Sequence, residues 1–160
     1  MGYYMSQVDS KFRIKAENKA AALAAIKALS DPAIMAKKAG GGSWGAGGYI
    51  KKWYSWVDTD EFANAASLED ALDAWGWEAE DAVLSGWDGV DIVDIRHAGE
   101  KLGDDLVLFD AIAPFVESGS YIHMCGEDGT NWRWYFDGKT CVEQPGGIVF
   151  YDPEGFPIDL

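Results

Sequence analysis

Apolar and polar positions alternate at the start of the chain. Tyr3, Tyr4 and Met5, a polar turn near Asp9-Ser10 and the triplet Phe12-Arg13-Ile14 predict extended backbone. The period then lengthens. Ala22, Leu23, Ile26 and Leu29 fall on one helical face, with Asn18 as cap and Asp31-Pro32 as the stop. Residues 33–49 read as loop, with six glycines from Gly40 to Gly48. Tyr49 to Val57 reads as an aromatic-rich strand. Ser67 with Asp70 three residues on predicts a capped short helix, whose Leu68, Ala71, Leu72 and Trp75 share a face. Val90 to His97 is the next strand, with Ile92 pointing away from Val93 and Ile95. Asp104-Asp105 then places negative charge where a helix dipole favours it. Phe109, Ile112 and Val116 form that helix's apolar stripe, Pro114 threatens a kink, and Gly119 closes it.

The sharpest local signal follows. Tyr121–Gly126 and Asn131–Phe136 flank Asp128-Gly129, and Asp137-Gly138 precedes Lys139–Glu143. Two Asp-Gly turns between such runs predict a three-stranded antiparallel meander. If both loops hold two residues, Cys125 faces Trp132, His123 faces Trp134, Tyr121 faces Phe136, and Trp134 also faces Cys141. Ile148–Tyr151 offers a further strand and Asp152-Pro153-Glu154-Gly155 a final turn. The expected fold is α+β: one domain over residues 1–160, with an antiparallel sheet, a C-terminal three-stranded meander and about three helices packed on it.

Charge changes the picture more than composition does. With 48% hydrophobic and 14% aromatic residues, a packed core is expected. The net charge of −14 is unevenly spread: residues 1–52 carry +6, residues 53–95 carry −12 and residues 96–160 carry −8. Between Trp53 and Ile95 there are twelve carboxylates and no lysine or arginine, together with five of the eight tryptophans. Disordered acidic tails lack such aromatics, so these acids are expected to decorate a folded surface. Nucleic acid and anionic membranes would meet like charge. A basic protein would be attracted, and salt would weaken the attraction. Asp58, Asp60, Glu61, Glu78, Glu80, Asp81 and Asp88 are the candidate partner-binding acids, with Trp77 and Trp87 as anchors if exposed. The bland alternative is a solvated acidic surface with every tryptophan in the core.

A second candidate is the glycine-rich stretch. Gly40-Gly41-Gly42-Ser43-Trp44-Gly45 matches G-x-G-x-x-G, but a strand rather than a helix is expected after it. Lys37, Lys38, Lys51 and Lys52 flank it, and Ser43 and Trp44 lie within it. Backbone amides, ammonium groups and a stacking ring could hold a nucleotide, a phosphorylated signal or another small anion. The chemistry of catalysis leaves little trace: no Gly-x-Ser-x-Gly and no His-Glu-x-x-His occurs. His123, Cys125, Cys141 and His97 lack the close spacing of a zinc site, so no metal or cofactor is expected. With two cysteines, no leader-like segment and no apolar run of membrane-spanning length, a soluble cytoplasmic protein is expected.

The strings Leu68-Glu69-Asp70-Ala71-Leu72-Asp73-Ala74-Trp75, Gly119-Ser120-Tyr121-Ile122, Gly126-Glu127-Asp128-Gly129 and Trp132-Arg133-Trp134 resemble small uncharacterised acidic proteins of bacteria and their phages. The resemblance implies a bacterial or phage-infected cell and no particular activity. By analogy with inhibitors and immunity proteins of that setting, the leading expectation is a non-enzymatic protein. Its acidic, tryptophan-bearing face would dock a basic, nucleic-acid-handling protein. A small-anion module built on the lysine-flanked glycines is the alternative.

Overall fold

The computed structural model describes residues 2–82 and 89–158, with Tyr49 and Ile50 described in backbone only. Its fold is α+β. The long strand β1 (Tyr3–Lys11) leads into helices α1 (Lys19–Ala28) and α2 (Pro32–Lys38), then the hairpin β2 (Gly41–Gly45) and β3 (Gly48–Trp53). Two short helices, α3 (Thr59–Ala63) and α4 (Leu68–Ala74), precede a second hairpin, β4 (Trp77–Asp81) with β5 (Ile92–His97). The chain continues through β6 (Lys101–Leu102) and α5 (Asp105–Ile112) into β7 (Tyr121–Gly126), β8 (Asn131–Phe136) and β9 (Cys141–Gly146). It ends in a small hairpin, β10 (Phe150–Tyr151) with β11 (Pro157–Ile158). The main sheet has the order β6-β1-β7-β8-β9, every neighbour antiparallel.

One face of this sheet builds the core. Ile122, Met124, Trp132, Trp134 and Phe136 alternate inward along β7 and β8, while Tyr121, His123, Arg133 and Tyr135 point outward and stay half-exposed. On the inner side Phe109 of α5 packs its ring 5.1 Å from Trp134 and 5.0 Å from Trp77. Phe12 and Phe136 extend the cluster edge-to-face at 5.4 Å. On the outer side the Arg133 guanidinium lies over both Tyr121 and Tyr135, at 5.1 and 5.4 Å.

The observed register differs by one residue from the two-residue-loop expectation. Tyr121 pairs with Tyr135, His123 with Arg133 and Cys125 with Asn131. The loop between β7 and β8 is wider: the Gly126 N–H donates to the Thr130 carbonyl, and Gly129 adopts φ +84°. A glycine in the left-handed region closes a longer hairpin with a bulge, and a slip of one residue turns every side chain over. His123 and Cys125 therefore leave the tryptophan layer for the outer face. At the second turn Phe136 pairs with Cys141, because Asp137 accepts from both Lys139 N–H and Thr140 N–H and opens that loop as well.

Other expectations also change. There are five α-helices among the described residues rather than about three. The first helix ends at Ala28, before Asp31-Pro32 as expected, but those two residues also start the next one: the Asp31 carboxylate accepts the Ala33 N–H at 2.8 Å, and proline fits the first helical turn. The glycine-rich stretch is no open loop, since Gly41 to Gly45 pair with β3. Gly41 itself is needed there, because a Cβ would sit 2.8 Å from the Trp53 carbonyl. Ile92 and Ile95 are both buried, because the pairing skips a residue at Val93 and turns Ile92 back to the core. The Ser67 cap does form, its hydroxyl accepting the Asp70 N–H at 3.1 Å. No helix among the described residues is long and apolar enough to cross a membrane.

Trp134 is fully buried between Trp77, Phe109 and Trp132, and its indole N–H donates to Glu143 at 2.9 Å. Trp134→Ala should cost about 3–5 kcal/mol in urea unfolding, the range for deleting a buried aromatic ring. A loss below about 1 kcal/mol would show that the cluster is not the centre of the core.

Candidate functional site

The segment linking β3 to α3 is fixed by burial. Tyr54 lies in the core and its hydroxyl donates to the Leu29 carbonyl at 2.8 Å. Burial, and then the charge of Asp104, push its phenol up to about 12. Two residues later Trp56 sits at φ +68° and is 58% exposed. A bulky side chain in the left-handed region is strained and persists only where its surroundings hold it. Asp104 does much of the holding: its carboxylate accepts the Ser55 N–H at 2.8 Å and the Gly40 N–H at 3.1 Å. Gly103 closes the contact, since a Cβ there would meet the Ser55 carbonyl at 2.6 Å and the Trp56 ring at 3.0 Å. The Lys101 ammonium lies over the Trp56 ring at 4.5 Å and over Tyr4 at 5.2 Å.

Ser55, Trp56, Lys101, Gly103 and Asp104 line a cavity of about 250 Å³ with Trp75, His97, Glu100 and Asp105. Asp105 is 5% exposed and accepts the Trp77 indole N–H and the Gly103 N–H, both at 2.9 Å. Burial pushes its carboxyl up, against the pull of those two donors and of His97. The His97 ring lies 4.7 Å from Trp77, tilted by 44°, and burial pushes its imidazole down, opposed by the charge of Asp105. Among the described residues, the buried Trp75 indole N–H has no acceptor. Ser55, His97 and Asp105 are the residue types of a nucleophilic triad in one cavity. Yet no hydrogen bond joins the His97 ring to Asp105 or to Ser55 among the described residues. The arrangement offers an aromatic face for a cation and carboxylates beside it, which is chemistry for binding.

A larger cleft of about 730 Å³ opens between α2, β3 and the start of α3. Lys51, Lys52 and Trp53 line one part, Asp58 and Asp60 another. The Lys52 ammonium donates to the Ala36 carbonyl at 2.9 Å.

The candidate acids divide into two groups. Asp58 caps α3, accepting from Asp60 N–H and Glu61 N–H, while the Asp60 and Glu61 side chains stay exposed. Glu80 is also exposed, across from Asp94. Glu78 instead pairs with Arg96, and Asp81 lies 3.4 Å from Lys19, which also holds Glu69 at 2.6 Å. Asp91 is likewise engaged, with Arg13 at 2.5 Å. The Ala16 N–H and then Arg13 hold its carboxyl below the usual range. The run without bases is thus partly neutralised by cations from other segments. Trp77 is fully buried, so it cannot anchor a partner, whereas Trp56 is exposed. Trp87 and Asp88 lie outside the described residues.

The anion candidates converge only in part: Ser43 pairs with Lys51 across the β2–β3 hairpin. Lys37 and Lys38 are exposed on α2 and line no cavity described here, while Ser43 and Trp44 are exposed on β2, Trp44 by 72%. Only Lys51 and Lys52 reach the larger cleft. Among the described residues, no group of three or more His, Cys, Asp or Glu could hold a metal ion. Burial, then nearby acids, push the Cys141 thiol up to about 12. Sequence reasoning passed over Lys101, Asp104 and Asp105 as site residues. The spacing Gly99-Glu100-Lys101-Leu102-Gly103 was the available signal, because bracketing glycines mark a close backbone approach.

No family model, curated protein or solved structure matches this chain.

His97 and Asp105 give opposite pH dependences. His97 takes a proton less readily when folded. Its contribution is complete above about pH 6.5 and is lost as pH falls below that, where the unfolded chain protonates first. Asp105 takes a proton more readily when folded, so the penalty on its buried charge is present at neutral pH and relaxes on acidification. His97→Gln should therefore flatten the decline in urea stability between about pH 7 and 5. An unchanged profile would contradict the buried, neutral imidazole. Asp105→Leu strands two buried N–H donors and should lose about 2 kcal/mol or more at neutral pH in the same assay.

Proposed function

We propose that this is a non-enzymatic binding protein whose acidic, tryptophan-bearing side docks a basic protein. Trp56 is the anchor and Asp58, Asp60 and Glu61 supply the flanking charge. One observation carries the proposal: exposed Trp56, held in a strained backbone conformation, already carries an ammonium group on its ring. The cavity beside it is lined by Glu100 and Asp104, while Asp105, which also lines it, is buried and committed to Trp77 and Gly103. A lysine or arginine side chain of a partner would find the same aromatic face with Glu100 and Asp104 lining the cavity beside it, and could displace Lys101 from the ring. Cation–aromatic contacts contribute about 0.5–2 kcal/mol, and more as water is excluded. Nucleic-acid-handling proteins are the natural partners, since their phosphate sites are ready-made arrays of basic groups that carboxylates can occupy. An inhibitor-type role follows from such occupation.

The small-anion alternative has Lys51 and Lys52 in its favour, side by side at the larger cleft with Trp53. Asp58 and Asp60 on the same cleft oppose it.

The test is capture from a bacterial lysate at low salt with three baits: the natural chain, Trp56→Ala, and the double reversal Asp60→Lys with Glu61→Lys. The natural bait should retain basic proteins that salt releases. Trp56→Ala should weaken a purified partner roughly 10- to 30-fold, the scale of a hot-spot tryptophan. The double reversal should slow association steeply. Identical capture by all three baits would sink the assignment of the surface.

A further inference from the structure

The cavity beside Trp56 has a buried hydrogen-bond donor in its wall with nothing to donate to. Trp75, the residue that closes α4, lines that cavity and is 4% exposed. Its ring packs on Tyr54 at 4.9 Å and on Phe62 at 5.4 Å, which holds the indole in place. Among the described residues its N–H has no acceptor. Folded proteins rarely leave a buried donor in that state unless something else supplies the acceptor. His97 lines the same cavity, and its ring nitrogens have no hydrogen bond among the described residues. Burial favours its neutral form, which offers one donor and one acceptor.

Size and charge narrow the occupant. At about 250 Å³ the cavity falls below the roughly 300 Å³ at which drug-sized sites begin, so it suits a single small ring. The indoles of Trp56 and Trp75 in its wall suit a flat one. Lys101 is the one ammonium in the lining, against the carboxyl groups of Glu100, Asp104 and Asp105. An anion would therefore meet an excess of like charge. A guanidinium or ammonium would be attracted, but it only donates and would leave the Trp75 N–H unpaired. A neutral amide has both halves of the match: a carbonyl oxygen for Trp75 and an N–H for a carboxylate. Asp104 has capacity left for it, since the Ser55 and Gly40 N–H groups both donate to the same oxygen, Oδ2.

We infer that this cavity is a small-molecule site for an uncharged carboxamide or lactam. Its carbonyl accepts the Trp75 N–H, and its own N–H donates to Glu100 or Asp104. The inference does not rest on the docking proposal. A protein partner could bind Trp56 and the acids near it with the cavity empty, and the cavity could fill with no partner present.

Three probes of one shape and different charge test it: benzamide, benzamidine as the cation and benzoate as the anion. Each is titrated into the full ¹⁵N-labelled chain while the indole N–H signals are followed. Benzamide should move the Trp75 signal saturably, benzamidine and benzoate should not, and Trp75→Phe should weaken benzamide roughly 3- to 10-fold. A Trp75 signal that answers equally to either charged probe overturns the inference. So does one that answers to none of the three, the result expected if water alone meets the indole. Should Trp75→Phe lose its near-ultraviolet circular dichroism, the nuclear Overhauser effect between benzamide ring protons and the Trp75 N–H of the natural chain decides. Its presence supports the site and its absence overturns it. Failure here leaves the docking proposal standing, because lysate capture reads Trp56, Asp60 and Glu61 rather than Trp75.

Discussion

The indole of Trp77 donating to the buried carboxylate of Asp105 ties together the parts of this molecule that carry its chemistry. Trp77 begins β4 and packs against Phe109 of α5 and Trp134 of β8, so the second hairpin, the helix and the main sheet meet at one ring. Asp105 begins α5 and holds the Gly103 N–H with its other oxygen. A charge buried to this degree is unfavourable unless donors meet it. The two donors at 2.9 Å meet it, and in doing so they fix the chain from β6 into α5. Asp104, the adjacent residue, then reaches the other way to bind Ser55 and Gly40. Neighbouring aspartates thus serve opposite ends of one construction: one secures the core, the other holds Trp56 at the surface.

This explains why the acid-rich stretch is both a folded element and a surface. Its tryptophans split by environment. Trp75 and Trp77 are buried, while Trp56, whose backbone is in the left-handed region, stays out. Its carboxylates split by partner. Glu69, Glu78, Asp81 and Asp91 are met by Lys19, Arg96 and Arg13, which come from outside the run, and Asp60, Glu61 and Glu80 stay exposed. Surface ion pairs of this kind contribute little stability. Their effect here is on where negative charge remains for another molecule to meet.

Periodicity made much of the core legible. Ile26 and Leu29 on the first helix, Phe109, Ile112 and Val116 around the last, and the Ser67 cap were all readable, because each depends on residues close in sequence. Register was not. Whether two or three residues close the turn at Asp128-Gly129 decides which side of the sheet His123 and Cys125 occupy, and both lengths suit the same dipeptide. Trp77 looked like a surface anchor because acids surround it in sequence. Its burial depends on Asp105, 28 residues further on, and no local pattern reports that contact. A greater distance hid the cavity: Ser55 and Asp104, which meet there, are 49 residues apart in the chain.

The central claim is that Trp56 and the carboxylates around it receive basic groups from a partner protein. The most direct measurement is a nuclear magnetic resonance titration of the tryptophan indole N–H signals with an arginine-rich peptide at low salt. The Trp56 signal should move saturably, and the movement should fade as salt is raised, while Trp77 and Trp134 stay fixed in the core. Movement spread evenly over the exposed indoles, or a stationary Trp56 signal, would contradict the account.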